Sequence, residues 1–216
     1  MEEDSFEYKD LELYWDGHAS IRAVDNDFTV AVDPFRSVSP DFDIDIVLIT
    51  HEDSGHFDPE ILKTLCSDKT CVILPGSMED VEVPCSDVEY IQEDEIIEVY
   101  GVKIEAVPMY NEYHERGQGF GYRFEMAGSS IYVAGDTGLI DESAELDGKV
   151  DIAFLPVEGR YTMDVEDSIK MAARIKPDIA VPYHYGKPFF EDEEIDLRGF
   201  KAALEDRNIK CRILEN

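Results

Sequence analysis

The chain has 216 residues, 50 Asp and Glu against 19 Lys and Arg, a net charge of −31, and 44% hydrophobic residues. This acidity argues against binding to nucleic acid or to an anionic membrane surface, because like charges repel. The apolar share suits the core of one αβ domain, expected here to span residues 1–216.

No apolar run is long enough to cross a bilayer, and the opening Met1-Glu-Glu-Asp-Ser5 lacks signal-peptide character. The sequence therefore reads as that of a soluble, cytoplasmic protein. Its acidic residues are spread along the chain, as in a solvated acidic shell; a basic partner is the alternative reading. The four cysteines, Cys66, Cys71, Cys85 and Cys211, show no CxxC spacing. They are expected to be free thiols or core fillers in a reducing compartment.

In chain order, Leu11 to Trp15 and Ala19 to Val24 read as strands joined by the hairpin-like turn Asp16-Gly17-His18. Phe28 to Val32 follows and ends at Asp33-Pro34. Ile44 to Thr50 is nearly all apolar and β-branched, which predicts a buried central strand. Asp58 with Pro59 predicts a capped helix through about Leu65. Cys71 to Leu74, Ile96 to Tyr100, Val102 to Val107, Phe120 to Glu125 and Ser130 to Ala134 read as further strands. Val150 to Leu155 and Ile179 to Tyr183 are late buried strands. Asp164 caps a helix with Val165, Ile169 and Ala172 on one face, stopped by Pro177. Asp196 caps another, with Phe200 and Leu204 four apart. Strands first, then strands alternating with helices, predict a four-layer αββα sandwich of two mixed β-sheets flanked by helices.

Residues suited to chemistry sit at the predicted strand ends. His51 follows the buried run, and His51, Asp53 and His56 fall within one tight loop. Asp136 lies in the glycine-flanked turn Val133-Ala-Gly-Asp-Thr-Gly138. His184 follows the strand ending in Val181-Pro-Tyr, and His114 precedes the glycine-rich Gly117-Gln-Gly119. Strand ends opening into polar loops are where αβ proteins place ligands. Imidazole and carboxylate are donors for Zn²⁺, Mn²⁺ or Fe. A lone histidine is more often a surface or hydrogen-bonded residue. His18, in its hairpin turn, is read in that ordinary way. For the others, three separate strand ends each supply a ligand-type residue, and that joint pattern predicts one metal site.

Several segments together resemble the metallo-β-lactamase superfamily, in its branch of small hydrolases that includes ascorbate-phosphate lactonases. Thr50-His51-x-x-x-x-His56 resembles T-H-x-H-x-D-H. Ala106-Val-Pro-Met-Tyr-Asn111 resembles A-V-P-A-Y-N, and His114-Glu-Arg-Gly-Gln-Gly119 resembles H-P-K-G-x-G. Ile131-Tyr-Val-Ala-Gly-Asp-Thr137, Phe154-Leu-Pro-Val157 with Tyr161-Thr-Met-Asp164, and Val181-Pro-Tyr-His-Tyr-Gly186 are similar to later segments of that branch. The order and spacing of these segments extend over roughly Leu11 to Lys187.

The resemblance implies that His51 helps hold a first metal, that His56 and His184 hold a second, and that Asp136 bridges them. His114 or Asn111 would supply the third-motif ligand. Two departures stand out. Asp53 occupies the place of a second histidine and keeps a donor there. Gly55 occupies the place of an aspartate and offers none; Asp53, Glu52 or a residue from another loop is the substitute to look for.

The implied activity is hydrolysis of a small ester, lactone or phosphodiester by metal-activated water. Zn²⁺ or Mn²⁺ would be the cofactor, as one or two ions, with Asp136, His184 and Asp53 in the catalytic roles. Gly55 points to at most one tight metal, on the side of His51, Asp53, His114 and Asp136. The alternative is a degenerate, non-catalytic member with a binding or regulatory role. A small-molecule substrate is the expected partner, and self-association into a homo-oligomer stays open.

Overall fold

The structure, a computed structural model, describes residues 5–35, 38, 43–190 and 194–214. Two seven-stranded sheets face one another. The first runs in sequence order through β1 (Ser5–Tyr8), β2 (Leu11–Gly17), β3 (Ser20–Asp25), β4 (Phe28–Val32), β5 (Ile46–Leu48), β6 (Cys71–Pro75) and β7 (Asp87–Ile91). The second runs through β8 (Ile96–Val99), β9 (Val102–Met109), β10 (Gly119–Met126), β11 (Ser129–Val133), β12 (Ile152–Pro156), β13 (Ile179–Tyr183) and β14 (Lys210–Cys211). Each sheet begins as an antiparallel meander and turns parallel at its fourth strand. Inward-facing side chains such as Ile21, Leu48, Phe124 and Val181 fill the space between the sheets.

Helices close the outer faces, giving the expected four layers. The helix α1 (Pro59–Leu65) is capped by Asp58, whose side chain accepts from the Glu60 and Ile61 amides, and it sets Leu62 and Leu65 against Val47 and Val72. On the other side, α2 (Val165–Ile175) and α3 (Leu197–Glu205) cover the second sheet. The face that α2 buries is Ser168, Met171, Ala172 and Ile175, a rotation from the predicted Val165, Ile169 and Ala172 face. Val165 and Ile169 lie at its margin, partly buried.

The predicted buried strand Ile44 to Thr50 is shorter than expected, only Ile46–Leu48. Its ends are taken by other bonds. Asp45 pairs with Thr29 through both its backbone and its carboxylate, and the Thr50 amide donates to Asp33 Oδ1 at 2.7 Å. Strands β1, β7 and β14 lack the apolar runs that mark the central strands. The free-thiol expectation is corrected for two cysteines: Cys66 and Cys85 form a disulfide across a sequence separation of 19, while Cys71 and Cys211 are free and buried. Cys66 follows the C-terminus of α1, and Cys85 lies just before β7, so the bond joins two loops that sequence spacing did not pair.

Candidate metal centre

The two parallel halves point their strand ends at a common rim. Asp33 follows β4, His51 comes three residues after β5, Asp136 three after β11, and His184 directly follows β13. Between β9 and β10, the loop of residues 110–118 brings in His114. The Asp136 turn depends on Gly135, whose φ is +66° and whose missing Cβ would stand 2.4 Å from Met109 Sδ. His184 itself has a positive φ of 62°, a conformation rarely held by a non-glycine residue away from turns and sites.

All six sequence-predicted site residues are brought together. His114 Nε2 is 3.2 Å from Asp53 Oδ2. His51 Nε2 is 3.8 Å from Asp53 Oδ2 and 3.9 Å from Asp136 Oδ2. Asp136 Oδ1 is 3.4 Å from His56 Nε2 and 3.1 Å from His184 Nε2, and those two nitrogens are 3.4 Å apart. Two donors held about 2.0–2.1 Å from a tetrahedral ion would lie roughly 3.3–3.4 Å apart. The Asp136, His56 and His184 atoms have that spacing, so these residues fit a divalent cation. The donors form three overlapping groups with all atoms within 4.8 Å: His51, Asp53 and His114; His51, His56 and Asp136; and His18, His56 and His184.

Hydrogen bonds from behind fix which nitrogen faces inward. Thr50 Oγ1 lies 2.9 Å from His51 Nδ1, leaving His51 Nε2 buried with no hydrogen-bond partner. Asp33 Oδ2 lies 2.7 Å from His56 Nδ1 and accepts from Thr50 Oγ1 at 2.6 Å. Such carboxylate–histidine pairs orient a ligating imidazole and raise its basicity.

The charges are strongly coupled. Burial works against ionisation of Asp136, but the adjacent His184 and His56 outweigh it and hold the carboxyl well below its usual range. Burial lowers His56, yet Asp136 and Asp33 overcome that and push it up to about 10. His51 is depressed by burial and then by His56; His18 is driven down to about 2 by burial, then by His184 and His56. His51 and His18 are therefore neutral, the form in which imidazole binds metal.

Asn111 and His114 differ in their partners. Asn111 Nδ2 donates to the Asp136 and Tyr161 carbonyls, and its Oδ1 accepts from the Tyr113 and His114 amides. It holds the loop, while the His114 ring lies 4.7 Å from that of His51.

Sequence reasoning missed two residues. Asp33, which the sequence marks only as the end of a strand, is buried and braces His56. His18, which the sequence marks as an ordinary turn residue, is buried, and its ring lies 4.2 Å from His184 and 5.3 Å from His56. Near the cluster, Glu158 accepts from the Tyr161 amide, and Arg160 lies over the Tyr161 ring. A cleft of about 750 Å³ opens over the cluster, with Arg160, Tyr113, Tyr161, Phe189 and Phe190 in its walls.

Two facing mixed sheets with a buried His/Asp cluster on their shared rim define a metallo-β-lactamase-type protein. The chain belongs to the beta-lactamase superfamily domain family, whose model matches residues 12–184. It is 30% identical to a UPF0173 metal-dependent hydrolase of Methanopyrus kandleri, over 94% of this chain and 96% of that protein. The crystal structure of a Parabacteroides distasonis protein assigned as a metal-dependent hydrolase superposes with a TM-score of 0.85 at 32% identity, covering 99% of this chain and 98% of that one. Igni18, a metallo hydrolase of Ignicoccus hospitalis, shares the fold at 22% identity, with a TM-score of 0.82 and 95% of each chain covered.

Proposed function

We propose that the chain is a metal-dependent hydrolase that cleaves a small ester, lactone or phosphodiester, with Zn²⁺ or Mn²⁺ as cofactor. The observation that carries this reading is the mutual spacing of Asp136, His56 and His184 at 3.1–3.4 Å, with Asp33 bracing His56 from behind. His51, Asp53 and His114 would hold a cation at one end of the cluster, and His56 and His184 at the other, with Asp136 between them. A cation bound there supplies Lewis acidity and brings the pKa of water toward neutrality.

The remaining roles fall to the chain. Asp136, kept ionised, and His184 orient the attacking water. Asp53, exposed at the cleft mouth beside His114, is placed to take up the water's proton and pass it to solvent. Arg160 offers a positive charge on the rim of an otherwise acidic protein, which favours a substrate carrying a carboxylate or phosphate. Phe189, Phe190 and Tyr113 give that substrate an apolar wall.

The test is turnover of aryl esters, simple lactones and bis(p-nitrophenyl) phosphate by Zn²⁺- or Mn²⁺-loaded protein. Hydrolysis that a chelator abolishes and metal restores is the expected result. Metal-loaded protein that turns over none of the three classes would overturn the reading and favour a binding or regulatory role.

A further inference from the structure

We infer that His18, at the tip of the β2–β3 hairpin, is a metal ligand that substitutes for the side chain missing at Gly55, completing a second cation site with His56 and His184. The inference rests on the metal-dependent reading above. It assigns this chain a ligand from outside the loop in which the sequence motif placed the donor.

The first support is the placement of donors. His18, His56 and His184 each offer a donor atom, all within 4.8 Å of one another, and all three side chains are buried. With a share of Asp136, they make four donors, the usual complement of a tetrahedral site.

The second support is an unmet demand. His18 Nδ1 is buried with no hydrogen-bond partner. A buried polar atom left unpaired is destabilising, and such atoms are rare without a ligand, ion or water to satisfy them.

The third support is that the hairpin tip is clamped where it can serve. The His18 carbonyl accepts from Trp15 Nε1 at 2.8 Å and from the His184 amide at 3.1 Å, tying the turn to the strand end that carries His184. Both His18 and His184 hold positive φ, 49° and 62°, so the contact is kept despite backbone strain at both residues.

The fourth support explains Gly55. It does not have positive φ, so its backbone does not require glycine. A Cβ built there would stand 2.5 Å from His18 Nε2 and 3.1 Å from its Cδ2. What the absent side chain provides is room for the His18 imidazole. A donor from the loop has been exchanged for one from the hairpin, and the expected deficit of the second side is filled by neither Asp53 nor Glu52.

The experiment is elemental analysis after loading with Zn²⁺ and desalting, with Co²⁺-substituted absorption spectra as a second readout. Wild type is expected to hold about two equivalents and His18→Ala about one, with the Co²⁺ bands reduced and the circular dichroism unchanged. The His18→Ala, Gly55→Asp double variant is expected to regain the lost equivalent, because the space vacated by imidazole readmits a carboxylate. His18→Gln, closer in size, serves if His18→Ala does not fold. Metal content that is the same in wild type and in the folded His18 variant would overturn the inference. The outcomes separate it from the hydrolase reading. His18-dependent metal without turnover removes only the catalytic claim; turnover with His18-independent metal removes only this one.

Discussion

The two ends of the donor cluster are built in different ways. The end formed by His18, His56 and His184 is at most 3% exposed, and its parts arrive from a hairpin tip, a loop and a strand end far apart in sequence. The end formed by His51, Asp53 and His114 faces the cleft, and the Asp53 side chain is 66% exposed. A buried site has its donors fixed by packing before an ion arrives, and its desolvation is part of folding. An open site keeps one adaptable, hydrated carboxylate and gives water and substrate a way in. The contrast assigns holding to the first end and access to the second, with Asp136 belonging to both.

The strongest way to break that division is at the shared residue. Asp136→Asn keeps the turn but removes the charge. It is expected to lower Zn²⁺ affinity at both ends by about 100-fold or more, since even outer-shell losses at metal sites cost roughly 10–100-fold. Unchanged occupancy in this variant would reduce Asp136 to a turn residue.

Asp33→Ala tests the buried end by itself. Removing the 2.7 Å contact to His56 Nδ1 is expected to weaken one equivalent by about 10–100-fold and to spare the other. An equal loss at both ends would show that the cluster behaves as a single unit.

Proton release sharpens the same contrast. His56, raised to about 10 beside Asp136 and Asp33, is protonated at neutral pH before a cation binds, and it must be neutral to ligate. Cation uptake at pH 7 should release a proton from the buried end, and apparent affinity should rise with pH until about 10. In metal-free protein the same raised pKa stabilises the fold fully below about pH 6.5, and that contribution is lost as pH rises through about 10. Calorimetry in buffers of differing ionisation enthalpy measures the release; none detected would remove His56 as a protonated, ligand-ready group.

The smallest effect belongs to Asp53→Ala. A mostly solvated carboxylate contributes little net binding energy, so affinity at the open end should fall by less than about 10-fold, with turnover falling more. A larger loss of metal than of turnover would make Asp53 chiefly a metal-holding carboxylate rather than a proton acceptor and erase the distinction between the ends.

Much of this was legible in the chain itself. Buried β-branched runs such as Cys71 to Leu74 and Ile179 to Tyr183 announce strands, because a strand covered on both faces must be apolar throughout. The caps at Asp58, Asp164 and Asp196 announce helix starts, and all three accept backbone amides where expected. His51, His56, His114, Asp136 and His184 could be picked out because each lies at or near a strand end or beside a glycine-rich loop. These are local signals, written within a few residues of the group they position.

The tertiary structure decided what sequence distance hides. The ends of Ile46–Leu48 were set by Asp45 and Asp33 competing for backbone bonds, and the Cys66–Cys85 pairing by which loops the first sheet brings together. His18 looked like a turn residue because its neighbours in the chain make a turn. Its neighbours in space are His56, 38 positions on, and His184, 166 positions on. Gly55 looked like a loss for the same reason. The sequence records that a side chain is absent, but only the packing of the hairpin against the loop shows that an imidazole occupies the space, because two groups can exchange places in a core without any local trace in the chain.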